Sequence, residues 1–588
     1  MVMSLRHLFR SKTLIRMLHR FGHCESYDFS LELETALAEA VESSSSQLSN
    51  QIIRYPMPPS VFHSEFDNLD KFINDVTGRE SIHTAHGIML QEVISHPGQH
   101  QEGEELQTIP RTKRRSFNLA KETTLPECYV SQKQNPKLKI TQLTHPGGPE
   151  AMAKSIRMTL LWTLLHSFQS SQGKPITAWS GFISSTHNPP KKLTTIDYHP
   201  LINHPITEYS TIQECLRAAE EATNEVGQEY VITTFDMGVC IKALPLIWQN
   251  PERYKKHVML PGTFHLECAF MKMLGKKMKG SGFEDILLEA GLISGGSLAG
   301  VMQGKNYDRA IHCHKIMLEA LELLLFEEFT QHQSHPFSSL TEESCKKIDS
   351  LSNDPSPSAL SEAVSDPAIM DIVDNYIKFR QTDIGATAKL WLYMYHVHLL
   401  LALITSVKTN NYLLYVQAIQ EMCPIFFSFG GQNYARYMTY FSAFFANIDY
   451  SHAGASDLIR LGTFSVARSF ISGNRCATDK TMEETFMRHA KSHGGTGEGL
   501  SGILTNYKAY QRRVRTTHLR SLYVDAALNM ADMGNEGSDG NQHRDLRPTE
   551  IQRSDKEVKK TKDAIKSFLN PFSSSLLSSP LERLHQKT

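Results

Sequence analysis

The chain has 588 residues, room for two to four domains at roughly 100–200 residues each. Its 40% apolar and 21% charged residues are globular proportions, and Lys+Arg (61) cancels Asp+Glu (62). That balance excludes a protein that grips nucleic acid through its overall charge, so any contact with phosphates needs local basic patches. The nine cysteines contain no CxxC pair, which argues against a disulfide framework and for an intracellular setting, nuclear or cytoplasmic. No stretch reaches the ~18–20 uninterrupted apolar residues of a membrane span. The longest candidate, 390–407, is interrupted by His396, His398 and Thr405 and reads as a buried helix.

The N-terminus, MVMSLRHLFRSKTLIRMLHRF, is basic and free of acids. It admits a transit-peptide reading or a helical start to the fold, and the apolar periodicity that follows favours the second. Residues 12–45 read as helix, broken by a turn at 22–28, before a polar run at 43–51. Residues 61–67, VFHSEFD, read as a strand ending on Asp67, and a second strand near 82–93 completes a hairpin across the turn at Thr77-Gly78. The segment 95–150 reads as loop or extended chain, with an extra strand at 139–143. Helices follow at 151–168 and, after a linker carrying Pro189-Pro190, at 210–226 with Ser210 as its N-cap. The clearest strand is 230–236, YVITTFD, followed by helix 239–249, a strand HVML from His257, and a helix opened by Gly262-Thr-Phe-His265 and reaching Met278. From 283 to about 470 the pattern is helical, broken by a polar linker at 331–366, and one more helix covers 478–491. The Ser-rich end reads as a disordered tail.

Several residues have both a structural and a chemical reading. Asp236 closes a strand where helix follows: it fits a helix N-cap, and it fits a ligand at the carboxyl end of a sheet strand. Asp67-Asn68-Leu69-Asp70 fits a turn, or a pair of oxygen ligands for a divalent cation. Glu483 and Glu484 sit in an early helical turn, where acids suit the helix dipole. His265 fits a core histidine or a group that orients a carboxylate. Basic clusters stand at Lys113, Arg114 and Arg115, and at Arg512, Arg513 and Arg515; they read as solvated loops or as phosphate contacts. His312-Cys313-His314 has adjacent residues pointing apart and makes a poor metal site. The glycines of 494–499 lack the GxxxxGK[ST] pattern, and no GxSxG, HExxH or kinase set is present.

Taken together, the order is strand–Asp67–hairpin, strand–Asp236–helix, strand–His265–helix, helical stretch, helix with Glu483. This order resembles the RNase H-like core of DDE transposases that carry a helical insertion before the last acid. The wording at 66–89, 207–216, 231–243, 262–292, 432–441 and 478–486 also resembles an uncharacterised family of animal proteins of mobile-element origin. Blocks of this kind span 14–520.

The resemblance implies an α/β fold: an RNase H-like mixed sheet with flanking helices, interrupted by an all-helical insertion. It divides the chain into an N-terminal helical region (1–55), the first part of the core (56–275), the insertion (276–470), core completion (471–530) and a disordered polar tail (531–588). It further implies a metal-dependent polynucleotidyl transferase or nuclease acting on DNA, with Asp67, Asp236 and Glu483 as catalytic metal ligands. Mg²⁺ or Mn²⁺ would form a two-metal site, typically ~3.5–4 Å apart. His265, Asn68 and Asp70 would support the acids, and Lys113, Arg114, Arg115, Arg512, Arg513 and Arg515 would meet the nucleic acid. A homo-oligomer is among the expected partners and a membrane is not. The alternative is a catalytically inactive relic retained as a DNA- or protein-binding scaffold. The sequence departs from an intact transposase in having no recognisable N-terminal zinc finger or helix-turn-helix.

Overall fold

The structure, a computed structural model, describes residues 1–9, 11–42, 61–72, 81–93, 147–170, 176–332, 336–380, 388–487 and 543–568, with short pieces between 108 and 145 and at 571–572. It opens on three helices, α1 (Val2–Phe9), α2 (Lys12–Arg20) and α3 (Tyr27–Glu42). They pack around Val2, Met3, Ile15, Tyr27 and Leu31, and Arg6 pairs with Glu34 at 3.2 Å.

Strands β1 (Phe62–Phe72) and β2 (Ser81–Val93) form the expected antiparallel hairpin, with Asp67 opposite His86. β1 does not end at Asp67. Leu69 is buried and pairs with Thr84, so the ladder continues and Asp67 lies mid-strand. On one face of β1 the ring of Phe66 lies over Gly87, where a Cβ would come within 2.4 Å of it. His63, Glu65 and Asp67 alternate onto the other face and are buried there.

Next come α4 (Gly148–Ser170), α5 (Trp179–Thr186), β3 (Leu193–Tyr198), α6 (Tyr209–Glu225), β4 (Val231–Phe235), α7 (Met237–Gln249), β5 (His257–Pro261) and α8 (Thr263–Met278). The strand β3 falls in a stretch that reads as linker. It pairs antiparallel with β2, Tyr198 beside Ile88. The N-cap of α6 is Glu208, without a side-chain cap, and not Ser210. The sheet order is β3-β2-β1-β4-β5, with β1–β4 and β4–β5 parallel. Every residue of β4 and β5 is buried, as a parallel pair covered on both faces requires. Helix α6 covers the Phe62 face through Ala222 and Val226.

A long helical stretch follows: α9 (Phe283–Glu289), α10 (Gly295–Met302), α11 (Tyr307–His332), α12 (Glu342–Asn353), α13 (Pro357–Val364), α14 (Pro367–Arg380), α15 (Ala388–Thr409), α16 (Tyr412–Ser428) and α17 (Gln432–Ser451). The polar linker expected at 331–366 therefore holds two helices. Thr341 and Ser356 cap them, accepting from Ser344 N at 3.0 Å and Ala359 N at 3.2 Å, while Ile348, Leu351, Ala359 and Ala363 are buried. One helix is long and apolar enough to cross a membrane, Lys389–Thr409, but 78% of its apolar window is buried inside the fold. Phe66, Ile232 and Leu260 of the sheet share one continuous core with Phe326, Leu400 and Phe445 of the helices.

Helix α18 (Thr478–Met482) lies against β1, β4 and α8. The chain then widens into a π-helical turn over Glu483–Met487, with Thr485 at φ −90°, ψ −108°. The tail expected to be disordered contains α19 (Pro548–Phe568), which packs on α11. Its polar composition hides a narrow stripe, Val558, Thr561, Ala564 and Ile565, that is buried at helical spacing. Among the described positions of 138–142 there is no strand.

Candidate functional site

The parallel register pairs Phe66 with Phe235 at the last residue of β4. The next residues, Asp67 and Asp236, therefore leave that register side by side. Asp236 keeps both of its sequence readings: it is the N-cap of α7, its Oδ1 accepting from Val239 N at 2.8 Å, and it bears on Asp67. Asp67 is 6% exposed. Burial first, then the charge of Asp236, pushes its carboxyl up to about 7, against the pull of His265 and of the hydrogen bond from Asn68. That bond, from Asn68 N to Asp67 Oδ1, is 2.7 Å long, so it is Asn68's backbone that serves Asp67. Asp70 lies in β1 opposite His83, and its side chain is outside the described residues.

Ligand atoms of Asp67, His265 and Glu483 all lie within 4.8 Å of one another. Asp67 is buried, while His265 and Glu483 are half-buried, so the cluster meets solvent along one side. Glu483 is not an early acid of a long helix: regular helix ends at Met482, and Glu483 is its C-cap and opens the π turn, where the fold brings it to Asp67 and His265. Lys113, Arg114, Arg115, Arg512, Arg513 and Arg515 lie outside the described residues. His312 pairs with Glu557 at 2.9 Å, and buried His314 lies 2.9 Å from Tyr393 Oη, so these two histidines have other occupations than a metal.

Two acids that the motif reading passed over complete the site. The first is Asp479. Helix α8 begins on Gly262, which has no side chain to cap it, and the cap comes from α18 instead. Asp479 Oδ1 accepts from Phe264 N at 2.9 Å, and Oδ2 accepts from His265 N at 3.0 Å and lies 3.1 Å from His265 Nδ1. A Cβ on residue 262 would sit 2.6 Å from Asp479 Oδ2, so the glycine makes room for the carboxylate. Burial pulls the His265 imidazole down. The hydrogen bond to Asp479 and the charges of Asp479, Asp67 and Asp236 outweigh it and raise the ring to about 9. With Nδ1 committed to Asp479, Nε2 is the nitrogen left for the acids.

The second is Glu65, 1% exposed, two residues before Asp67 on the same face. Burial and the charge of Asp479 hold it well above the usual carboxylate range, and Thr478 hydrogen-bonds it. It lies buried beneath the cluster. A sequence signal existed for Asp479, in the uncapped glycine start of α8, but its partner is distant in the chain. Glu65 gave no signal beyond its place in the alternation.

The donor set fits a hard divalent cation. Carboxylate oxygens are the ligands Mg²⁺ and Mn²⁺ prefer, and His265, held as an imidazolium, stands beside these ligands and not among them. The buried, mutually repelling acids are the observation behind this fit: without a cation, Asp67 takes up a proton near neutrality.

A family model described as a domain of unknown function (DUF8702) matches residues 178–581. That is more than half of the chain, and the chain belongs to this family. The match includes Asp236, His265, Asp479, Glu483 and helix α19, and begins after β1 with its Asp67. No curated protein and no solved structure matches the chain.

Proposed function

We propose that this member of a family of undefined function is a transposase-type, metal-dependent polynucleotidyl transferase or nuclease acting on DNA. The observation that carries the reading is the meeting of a first-strand acid, Asp67, and a late acid, Glu483, with His265, with the fourth-strand acid Asp236 near enough for its charge to act on both Asp67 and His265. The strand order β3-β2-β1-β4-β5 supports an RNase H-like core, because it sets β1 and β4 side by side. In this reading α9–α17 are the insertion between the fourth-strand acid and the last one, and α18 returns to complete the core.

Mg²⁺ or Mn²⁺, when bound, would stabilise the attacking and leaving oxygens of an in-line displacement at phosphorus. Asp67, Asp236 and Glu483 would hold it. Asp67 has to release its proton first, and the nearby imidazolium of His265 favours that release. Asp479 fixes the ring of His265 through Nδ1 and the backbone of its helix, so the nitrogen facing the acids is set before DNA arrives. The test is a nicking assay on supercoiled DNA with Mn²⁺. Wild type is expected to nick, and Asp236→Asn to lose the activity while keeping its melting temperature. Equal nicking by both proteins refutes the assignment.

The second reading, an inactive scaffold of the same fold, is favoured by one observation. The cationic His265 already places a positive charge beside Asp67 without a metal. Under that reading Mn²⁺ neither raises the melting temperature nor supports nicking.

A further inference from the structure

Behind α18, away from Asp479, two cavities of about 430 and 470 Å³ share Tyr307, Ile404, Lys408 and Lys480 in their walls and form one cleft. Each falls within the roughly 300–1,000 Å³ usual for small-ligand sites. Three ammonium groups enter it from three helices: Lys315 from α11, Lys408 from α15 and Lys480 from α18. Lys480 is neutralised by Asp308 at 3.1 Å and Glu484 at 3.4 Å. Lys315 and Lys408 make no ion pair among the described residues. Each has one neutral acceptor, the Ser180 hydroxyl for Lys315 and Gly473 O, at 3.2 Å, for Lys408. An ammonium carries three donors, so both lysines have donors to spare. Burial and the charges of Lys315 and Lys480 bring Lys408 down to about 8.

A second, independent observation points the same way. Trp179 lines the first cavity, is 3% exposed, and its indole N–H has no hydrogen-bond partner among the described residues. A buried donor without an acceptor costs about 1–3 kcal/mol. The facing acids do not meet this need. Burial keeps Glu319 and Glu267 neutral, each pushed up to about 8, and the second also takes the Tyr307 hydroxyl. Glu550 and Glu557 are engaged by Arg544, Arg553 and His312. That leaves Asp545 as the acid facing the two lysines. Two buried lysines and the Trp179 indole therefore keep unused donors in the cleft, with Asp545 as the charged acid facing the lysines.

We propose that this cleft binds a small molecule carrying a polyphosphate, whose oxygens accept from Lys315, Lys408 and the Trp179 indole. Phosphate fits better than a single carboxylate because donors converge from several directions, and a polyphosphate offers three non-bridging oxygens at its terminal phosphate and two at each internal one. The Tyr307 ring is already taken by the Lys480 ammonium at 4.4 Å and by Phe264, so the phosphates and not a base carry the proposal.

The test is calorimetric titration of the full chain with inorganic tripolyphosphate, ATP and adenosine. Tripolyphosphate and ATP are expected to bind and adenosine not. A tighter ATP complex would assign the nucleoside to the cleft, and equal affinities would assign the polyphosphate alone; either supports the proposal. Losing a charged hydrogen bond in Lys315→Met or Lys408→Met should weaken tripolyphosphate binding by roughly tenfold or more. Trp179→Phe, which keeps the ring packing and removes only the N–H, should weaken it measurably, and the exposed Lys279→Met not at all. Three results overturn the proposal: no tripolyphosphate binding to wild type, adenosine binding as well as ATP, or unchanged affinity in the lysine and Trp179 variants. A Lys408→Met protein that melts lower, beside a wild type that binds no tripolyphosphate, would mean that the lysine serves the fold.

Discussion

Replacing Asp67 by asparagine tests the electrostatics of the site without any assumption about the reaction. The folded protein holds the Asp67 carboxyl at about 7, against 3.8 for an ordinary aspartate, because burial and the neighbouring Asp236 disfavour its charge. The sign follows from linkage. Below pH 3.8 the group is protonated in both states and costs nothing. Between 3.8 and 7 the unfolded chain ionises it while the folded chain keeps the proton, so stability falls as pH rises. Above 7 both states are ionised and the full cost remains. A shift of that size, at 1.36 kcal/mol per unit, is on the order of 4 kcal/mol. Asparagine cannot ionise, and its side-chain oxygen can still accept from Asn68 N. The Asp67→Asn protein should therefore match wild type near pH 4 and exceed it increasingly towards pH 8. Denaturation of both proteins across that range, without divalent ions, measures the difference. Mn²⁺ should then raise the wild-type melting temperature at pH 8 and leave the variant unmoved, since a ligand stabilises only the state that binds it. A wild-type-to-variant difference that stays flat between pH 4.5 and 8 refutes the buried, repelled carboxyl.

Three further outcomes are expected. Asp479→Asn removes the charge that holds His265, so the imidazole titration followed by NMR should fall from about 9 towards its ordinary value of 6.5; a ring still titrating near 9 would contradict the assigned pair. Gly262→Ala puts a Cβ 2.6 Å from Asp479 Oδ2 and should cost about 1 kcal/mol in lost capping of α8, read by denaturation, with the same downward shift of His265. In the helical region, Glu322 is 1% exposed and receives Arg380 at 2.7 Å, His398 at 2.6 Å and the Tyr376 hydroxyl at 2.8 Å. Glu322→Ala leaves Arg380 buried without its partner and should destabilise by roughly 3–5 kcal/mol. Burial pushes the Glu322 carboxyl up, but Arg380 and His398 outweigh it and hold it at about 2. Its stabilisation is therefore present above pH 4.5 and is lost as pH falls through 2, a slope that the alanine protein should lack.

The parts legible in the sequence are those whose signal is local. VITTF followed by an N-capping Asp236 and an apolar helix specifies β4 and α7 within a few residues, and HVML before Gly262 does the same for β5 and α8. The elements that escaped depend on distant partners. β3 lies between prolines and carries threonines, and only pairing with β2 makes it a strand. Helix α19 has a buried stripe too narrow to stand out from its lysines until α11 lies against it. Among the site residues, Asp67, Asp236 and Glu483 were singled out as ends or starts of elements; Asp236 does close β4 and cap α7, while Asp67 lies mid-strand and Glu483 follows the last residue of α18. Asp479 was not, since a carboxylate in a first helical turn is ordinary and its work is done on another helix.

That difference bears on how Glu483 is held. Asp479 and Glu483 are one turn apart and share a side of α18, while Lys480 and Glu484 share the side that faces the cleft. Immediately after Met482 the helix widens into a π turn, and Thr485 leaves helical geometry altogether. Among the described residues, Glu483 thus stands where regular helix gives way to the π turn. The turn before it is fastened to the sheet side by the Asp479 carboxylate, which accepts two backbone N–H groups of α8. The same carboxylate orients His265. One buried acid thus sets two of the three groups that converge on Asp67. On the far side of the same short helix, Lys480 is shared between Asp308 and Glu484, so a polyanion entering the cleft would compete for a residue adjacent to Asp479. Small changes in α18 would then be felt at Glu483 and His265 together, which makes this helix the joint between the acid cluster and the basic cleft.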